Sequence, residues 1–209
     1  MSKNKITLIS GTSKANTDMY LLNLTEHSYS KYIGNNRFDY NNLSLDNKIK
    51  RIAQEKFNKI FDIEGEGYPI DKCFMYSIKE PIGFIYSMPI IIETCKLSEG
   101  ETLIISNPDS FLHPSEQSRL CEMLIDFSIN NNNRIILSSN SDTILNTIRI
   151  AVLYQQLRNY EVDIKYFIAN KCINIYLHED GSIEDWPEGF FDQIDKDLSA
   201  LFPVVQLFN

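Results

Sequence analysis

The stretch from Thr102 to Asp142, TLIISNPDSFLHPSEQSRLCEMLIDFSINNNNRIILSSNSD, constrains the fold more than any other part of this chain. Leu103, Ile104 and Ile105 are an unbroken apolar run, which predicts a central parallel strand covered on both faces. Pro114 suits the first turn of a helix, where its missing N–H has no intrahelical partner. Leu120, Met123, Leu124 and Phe127 then recur at helical spacing. The run from Asn130 to Asn133 ends that helix, since asparagine tolerates turn and left-handed conformations. Arg134 to Leu137 gives the next strand, and a crossover of this length makes the two strands parallel and right-handed neighbours. Ligands of such sheets bind beyond the carboxyl ends of the strands. Those ends are Ser106-Asn107-Pro108-Asp109 and Ser138-Ser139-Asn140-Ser141-Asp142.

The segments around this unit fit the same architecture. Lys5 to Ser10 predicts a strand and Ser10-Gly11-Thr12-Ser13 a turn. That turn is no phosphate loop on its sequence: GxxxxGK[ST] rings phosphates with backbone N–H groups and a lysine. Gly11-Thr12-Ser13-Lys14-Ala15 lacks the second glycine and a following helix pattern. Asp46 to Phe61 predicts an amphipathic helix capped by Ser44 or Asp46, with Ile49, Ile52, Ala53, Phe57, Ile60 and Phe61 on one stripe. Gly65 and Gly67 mark a loop, and Ile70 to Ile78 a strand. Pro81 to Ile91 opens a helix with an apolar face, closed by Gly100. Ser141 to Leu157 predicts another, capped by Asn140 or Ser141, with Asp142 near the positive end of its dipole. Val162 to Ile168 and Cys172 to His178 predict paired strands, and Asp180-Gly181 a hairpin. In the tail, Trp186, Phe190 and Phe191 predict a buried latch, continued by a helical stripe of Ile194, Leu198 and Leu201.

Composition narrows the function classes. With 209 residues, 43% hydrophobic and 23% charged, the chain can build one substantial core as a single domain. A formal charge of −8 and a pI of about 4.9 argue against nucleic-acid binding through a broad basic surface. The longest apolar run, Met88 to Ile92, is too short to span a bilayer, and MSKNKITLIS lacks a signal-peptide core, which together predict a cytoplasmic protein. Cys73, Cys95, Cys121 and Cys172 are scattered without CxxC spacing and read as buried reduced thiols rather than a metal site. His113 has no second histidine nearby and reads as a turn-stabilising residue.

Three passages carry a resemblance. ISNPDSFLHPSEQSRL with IILSSNSDTILNTIR resembles the later part of the nucleotide-binding head of ABC-type AAA family ATPases of the SMC-like and OLD-like kind. EPIGFIYSMPII is similar to the signature region of that family, and DGSIEDWPEGFFDQIDKDLSALF to the tail of a subgroup ending in Trp-Pro-x-Gly-Phe-Phe-Asp. The resemblance implies a partial head related to the P-loop NTPases: a mostly parallel α/β sheet flanked by helices, with a C-terminal hairpin and helix. It divides into strands and a helix over 1–80, a signature-like helix and core over 81–158, and a hairpin with the latch Trp186, Pro187, Gly189, Phe190, Phe191 and Asp192 over 159–209. It also implies that the chain begins midway through a head, without a P-loop.

The family's catalytic positions fall on altered residues. Its acidic pair, which serves magnesium and the attacking water, falls on Ser106 and Asn107, and its γ-phosphate-sensing histidine on Asn140. A serine binds magnesium weakly, and the amide of Asn107 cannot accept a proton as a general base. The signature serine falls on Ile85 and the adjoining glutamine on Tyr86, which removes the contact to nucleotide across a dimer. Asp109, His113, Ser139 and Asp142 remain as nucleotide-proximal positions. The expectation is a degenerate ATPase-like interaction or regulatory subunit with no cofactor of its own. Its partner would be another chain, such as a P-loop ATPase supplying ATP and magnesium, or a further copy in an oligomer, and its sheet edge and one apolar face would be left uncovered. The alternatives are one lobe of a split ATPase, and a small-molecule enzyme working through Asp109, His113 and Asp142.

Overall fold

The computed structural model describes residues 4–12, 17, 20, 21, 23, 24, 30–34, 46–64, 81–169 and 171–202. The Ile70 to Ile78 strand, the Gly65 and Gly67 loop and Cys73 fall outside them. Six strands are described, β1 (Ile6–Gly11), β2 (Ser30–Ile33), β3 (Thr102–Ser106), β4 (Arg134–Ser138), β5 (Val162–Ile168) and β6 (Lys171–Ile175). They form one sheet in the order β2-β3-β4-β1-β5-β6. All pairings are parallel except β5 with β6. The helices are α1 (Asn47–Phe61), α2 (Ile82–Cys95), α3 (Pro114–Asn130), α4 (Asp142–Leu153) and α5 (Gln193–Leu201). The chain is also helical at Thr17, Tyr20, Leu21, Asn23 and Leu24. The architecture is an α/β sheet, mostly parallel and flanked by helices, consistent with a P-loop NTPase-like fold.

The unbroken apolar runs reflect burial on two faces. Leu103 and Ile105 of β3, with Ile135 and Leu137 of β4, join a large cluster with Leu120 and Leu124 of α3 and Ile144 and Ile148 of α4. The alternate residues Ile104 and Ile136 join Ile9 and Leu21 in a second cluster, packed by Tyr20 and Leu24. Each such fully buried side chain contributes roughly 1.5–3 kcal/mol. Strand β3 is interior but stands next to the β2 edge, so the central strands are β4 and β1.

Helix α1 begins where expected because Asp46 caps it, its carboxylate accepting from Lys48 N at 2.9 Å. Asn132 takes a positive φ of 51° after α3, the conformation anticipated for the asparagine run. Several boundaries differ from the sequence reading. Helix α2 stops at Cys95, capped through Lys96, and Gly100 instead turns the Ser98–Glu101 corner at φ 80°. Helix α4 stops at Leu153, four residues early, because Gln155 enters the left-handed region at φ 58°. Strand β6 stops at Ile175, after which only Leu177 pairs, with Ile183 across the Asp180-Gly181 hairpin. The helical residues after β1 contradict the absence of a helix pattern there, and β2 is a strand that the sequence did not announce.

The tail also departs from expectation. Phe190 is fully buried and rings with Tyr166 at 5.1 Å and Phe191 at 4.8 Å. Trp186, however, stays 41% exposed, its indole N–H donating to the Phe190 carbonyl and its ring lying under Arg149. Helix α5 buries none of its residues, and Ile194, Leu198, Leu201 and the following Phe202 present an uncovered apolar face. A stripe at helical spacing establishes amphipathicity but not the surface that it meets. Cys172 is likewise exposed, whereas Cys121 is buried and Cys95 half-buried.

Candidate functional site at the carboxyl end of the sheet

Strands β3, β4 and β1 release their chains at the same end. The connections from β3 and β4 run through α3 and α4 on the large-cluster face, whereas the residues after β1 pack on the opposite face. Neighbours β4 and β1 therefore send their chains to opposite faces, and such a switch point opens a crevice between the strand ends. A cavity of about 410 Å³ lies there. Its polar lining is Ser10 and Thr17 from the β1 side, Asn107 and Ser110 after β3, and Ser138, Ser139 and Asn140 at the end of β4. Among the described lining residues there is no carboxylate, imidazole, ammonium or guanidinium; Tyr86 and Phe111 supply an aromatic wall, their rings 5.0 Å apart.

Asn140 bridges the crevice. Its carbonyl oxygen accepts from Ser10 Oγ at 2.7 Å and from Gly11 N at 3.1 Å, and its amide donates to Gly11 O at 3.3 Å. An imidazole at this position could not offer the same paired acceptor and donor to one peptide unit. Gly11 is required by packing: a Cβ there would lie 2.5 Å from the Phe167 carbonyl oxygen on β5.

The β3 end is held by a second set of bonds. Asn107 adopts φ 48°, which asparagine tolerates, and donates its N–H to Ser138 O at 2.8 Å. Its side-chain amide donates to Ser106 Oγ at 3.2 Å. Asp109 accepts from Ser139 Oγ at 2.6 Å, and that oxygen accepts from Ser141 N at 3.0 Å. Ser141 Oγ donates to Gln117 Oε1 at 2.5 Å, while Gln117 Nε2 donates to Leu112 O at 2.9 Å. This network ties the loop before α3 to the loop before α4, and it engages Asp109 and Ser139 as braces.

The remaining sequence-selected residues are dispersed. His113 caps α3, accepting from Ser115 N at 3.3 Å while Glu116 accepts from His113 N at 2.8 Å. Asp142 opens α4 and lines a different cavity, beside the tail, where burial raises its pKa above the ordinary carboxylate range. Asp109, His113 and Asp142 thus line no common cavity among those described. Tyr86 walls the crevice and Ile85 stands half-buried beside it on α2. Gly83, one turn earlier, lets α2 approach the loop before α3, for a Cβ there would lie 2.7 Å from the Phe111 carbonyl oxygen. Sequence reasoning missed Ser10, Gly11 and Thr17; the one available signal was a glycine closing a strand.

The donor set decides what the crevice can hold. Magnesium favours carboxylate and phosphate oxygens, and the lining offers hydroxyls and amides. A triphosphate needs a lysine or a ring of free backbone N–H groups, and the Gly11 N–H is spent on Asn140. The described lining residues are not the donor set of a nucleotide–magnesium complex. Among the described residues, no group of three or more His, Cys, Asp and Glu could hold a metal ion, and no helix is long and apolar enough to cross a membrane.

A family model described as a protein of unknown function (DUF3696) matches residues 166–201, from β5 through α5. That domain sits in AAA-like ATPase contexts in many proteins. No curated protein matches the chain.

Proposed function

We propose that this protein is a degenerate ATPase-like subunit that acts by binding another protein, without nucleotide hydrolysis of its own. The observation that supports this reading is the crevice at the β1–β4 switch point, which has a nucleotide-binding site's position and, among its described lining residues, no carboxylate, imidazole or cation. Hydrolysis there would lack a general base, worth about 10²–10⁴-fold in rate. The tail match, in a domain that accompanies AAA-like ATPases, favours kinship with the SMC-like and OLD-like heads. The uncovered apolar face of α5 favours a role in assembly.

The place of β1 favours a degenerate phosphate loop in this chain over one donated by a partner. A P-loop follows a strand and precedes a helix, and β1 with the helical residues after it has that form. A donated strand would have to enter where β1 is already paired on both sides, with β4 and β5. Phosphate release from ATP tests the reading. Neither the natural chain nor the variant Ser106→Asp/Asn107→Glu should turn over ATP, because restored carboxylates still lack a phosphate cradle. Turnover by either chain alone would refute it.

A further inference from the structure

On the other side of the Asn140 bridge lies a cavity of about 350 Å³, walled by the end of β1, the start of α4 and the tail. Four side chains give it its character: Asp142, Tyr166, Asp192 and Lys196. Tyr166 is 1% exposed and its hydroxyl has no hydrogen-bond partner among the described residues. That hydroxyl lies 2.9 Å from where a Cβ on Gly189 would stand, so the glycine keeps the space in front of it clear. A buried hydroxyl without a partner is costly, and one facing a cavity is answered by whatever fills the cavity.

The other polar groups define the occupant's chemistry. Asp192 accepts from Gly189 N at 2.8 Å and pairs with Lys196 Nζ at 2.7 Å, both through Oδ2. Asp142 forms no ion pair among the described residues, and burial with the nearby charge of Asp195 disfavours its ionised form. Among the described residues the wall therefore sets two carboxylates against one ammonium and is rich in acceptors. Helices α4 and α5 both begin here, and their positive ends would otherwise draw an anion. Each end already carries its own carboxylate, Asp142 in the first turn of α4 and Asp192 before α5.

We propose that this cavity binds a guanidinium or primary ammonium group, which gives its N–H donors to Asp142, to the Asp192 carboxylate and to the Tyr166 hydroxyl oxygen. The group comes either from a free small amine or guanidine or from an arginine or lysine side chain of a protein partner. Lys196, at the rim, competes for the same carboxylate.

The test titrates the full chain with agmatine and, separately, with a blocked arginine (N-acetylarginine methylamide). Tyr166 is followed by NMR of ¹³Cζ-labelled tyrosine, its signal assigned through Tyr166→Phe, and inorganic phosphate serves as the anionic probe. Both guanidinium probes should shift the signal saturably. Asp142→Asn should weaken binding about tenfold or more, as loss of a charge-assisted hydrogen bond does, and Lys196→Met should tighten it. Tighter binding of agmatine identifies a free ligand, and tighter binding of the blocked arginine a protein side chain; both support the site. The proposal is overturned if neither cation shifts Tyr166, if phosphate shifts it and they do not, or if folded Asp142→Asn binds as the natural chain does. Should Asp142→Asn fail to fold, unchanged affinity in the surface variant Lys196→Met overturns it equally.

Discussion

Removing the Asn140 side chain should loosen the join between β1 and β4 by an amount that the bonds themselves set. Three hydrogen bonds are lost in Asn140→Ala, and they are not equivalent. Ser10 is buried, so its hydroxyl at 2.7 Å loses a partner that water cannot readily replace, at about 1–2 kcal/mol. The two bonds to the Gly11 peptide lie at the surface, where water substitutes, and together they are worth about 0–1 kcal/mol. The sum is about 1–3 kcal/mol, or about 2–12 °C in Tm for a domain of this size. Urea unfolding followed by circular dichroism, on Ser10→Ala, Asn140→Ala and the double variant, isolates the shared bond. The coupling should be about 1 kcal/mol. Additive losses would refute the bridge and with it the claim that this asparagine closes the crevice. A rise in stability on Asn140→Ala would do so more strongly.

Two further outcomes follow from the same geometry. Phe190→Ala empties a fully buried aromatic site against Tyr166 and Phe191 and should cost about 3–5 kcal/mol, lowering Tm by about 6–20 °C; a loss below about 1 kcal/mol by calorimetry would mean that the tail is not docked. Among the described cysteines, burial pushes Cys95 and Cys121 up to about 12, whereas Cys172 is exposed. Maleimide labelling at pH 8, mapped by mass spectrometry, should therefore modify Cys172 first and leave Cys121 unmodified until the chain unfolds, since a thiol with that pKa is ionised only about once in 10⁴ molecules there. Prompt labelling of Cys121 in the folded protein would contradict its place on the buried face of α3.

The β3–α3–β4 unit was legible because every level of its sequence agrees. Leu103, Ile104 and Ile105 need two covered faces, Pro114 needs a first turn, and Asn132 accepts the positive φ that ends the helix. Asp46 was legible for a similar reason, as a cap bonds within its own turn. The crevice was legible in part. Its β3 and β4 rims follow from the rule that ligands meet the carboxyl ends of parallel strands, but β1 as the opposite rim does not. Strand order is a long-range property: Ser10 meets Asn140 across 130 positions, and no local pattern announces that pairing. The ends of α4 and β6 were misplaced because Gln155 takes a left-handed turn inside an otherwise helical pattern, and because Tyr176 to His178 continues an alternation without a continuous partner strand. Trp186 and α5 show the converse limit. Large apolar residues at the right spacing record an affinity for a surface, and in this chain the described core leaves the α5 stripe exposed.

Titration calorimetry of the purified chain with magnesium and ATP tests the central claim most directly. A crevice lined by hydroxyls and amides, with the Gly11 N–H already engaged by Asn140, predicts no saturable heat at nucleotide concentrations up to the millimolar range. Saturable binding of one nucleotide per chain, lost in Asn107→Ala and unaffected by mutation of the tail, would contradict the account and establish a working nucleotide site at the β1–β4 switch point.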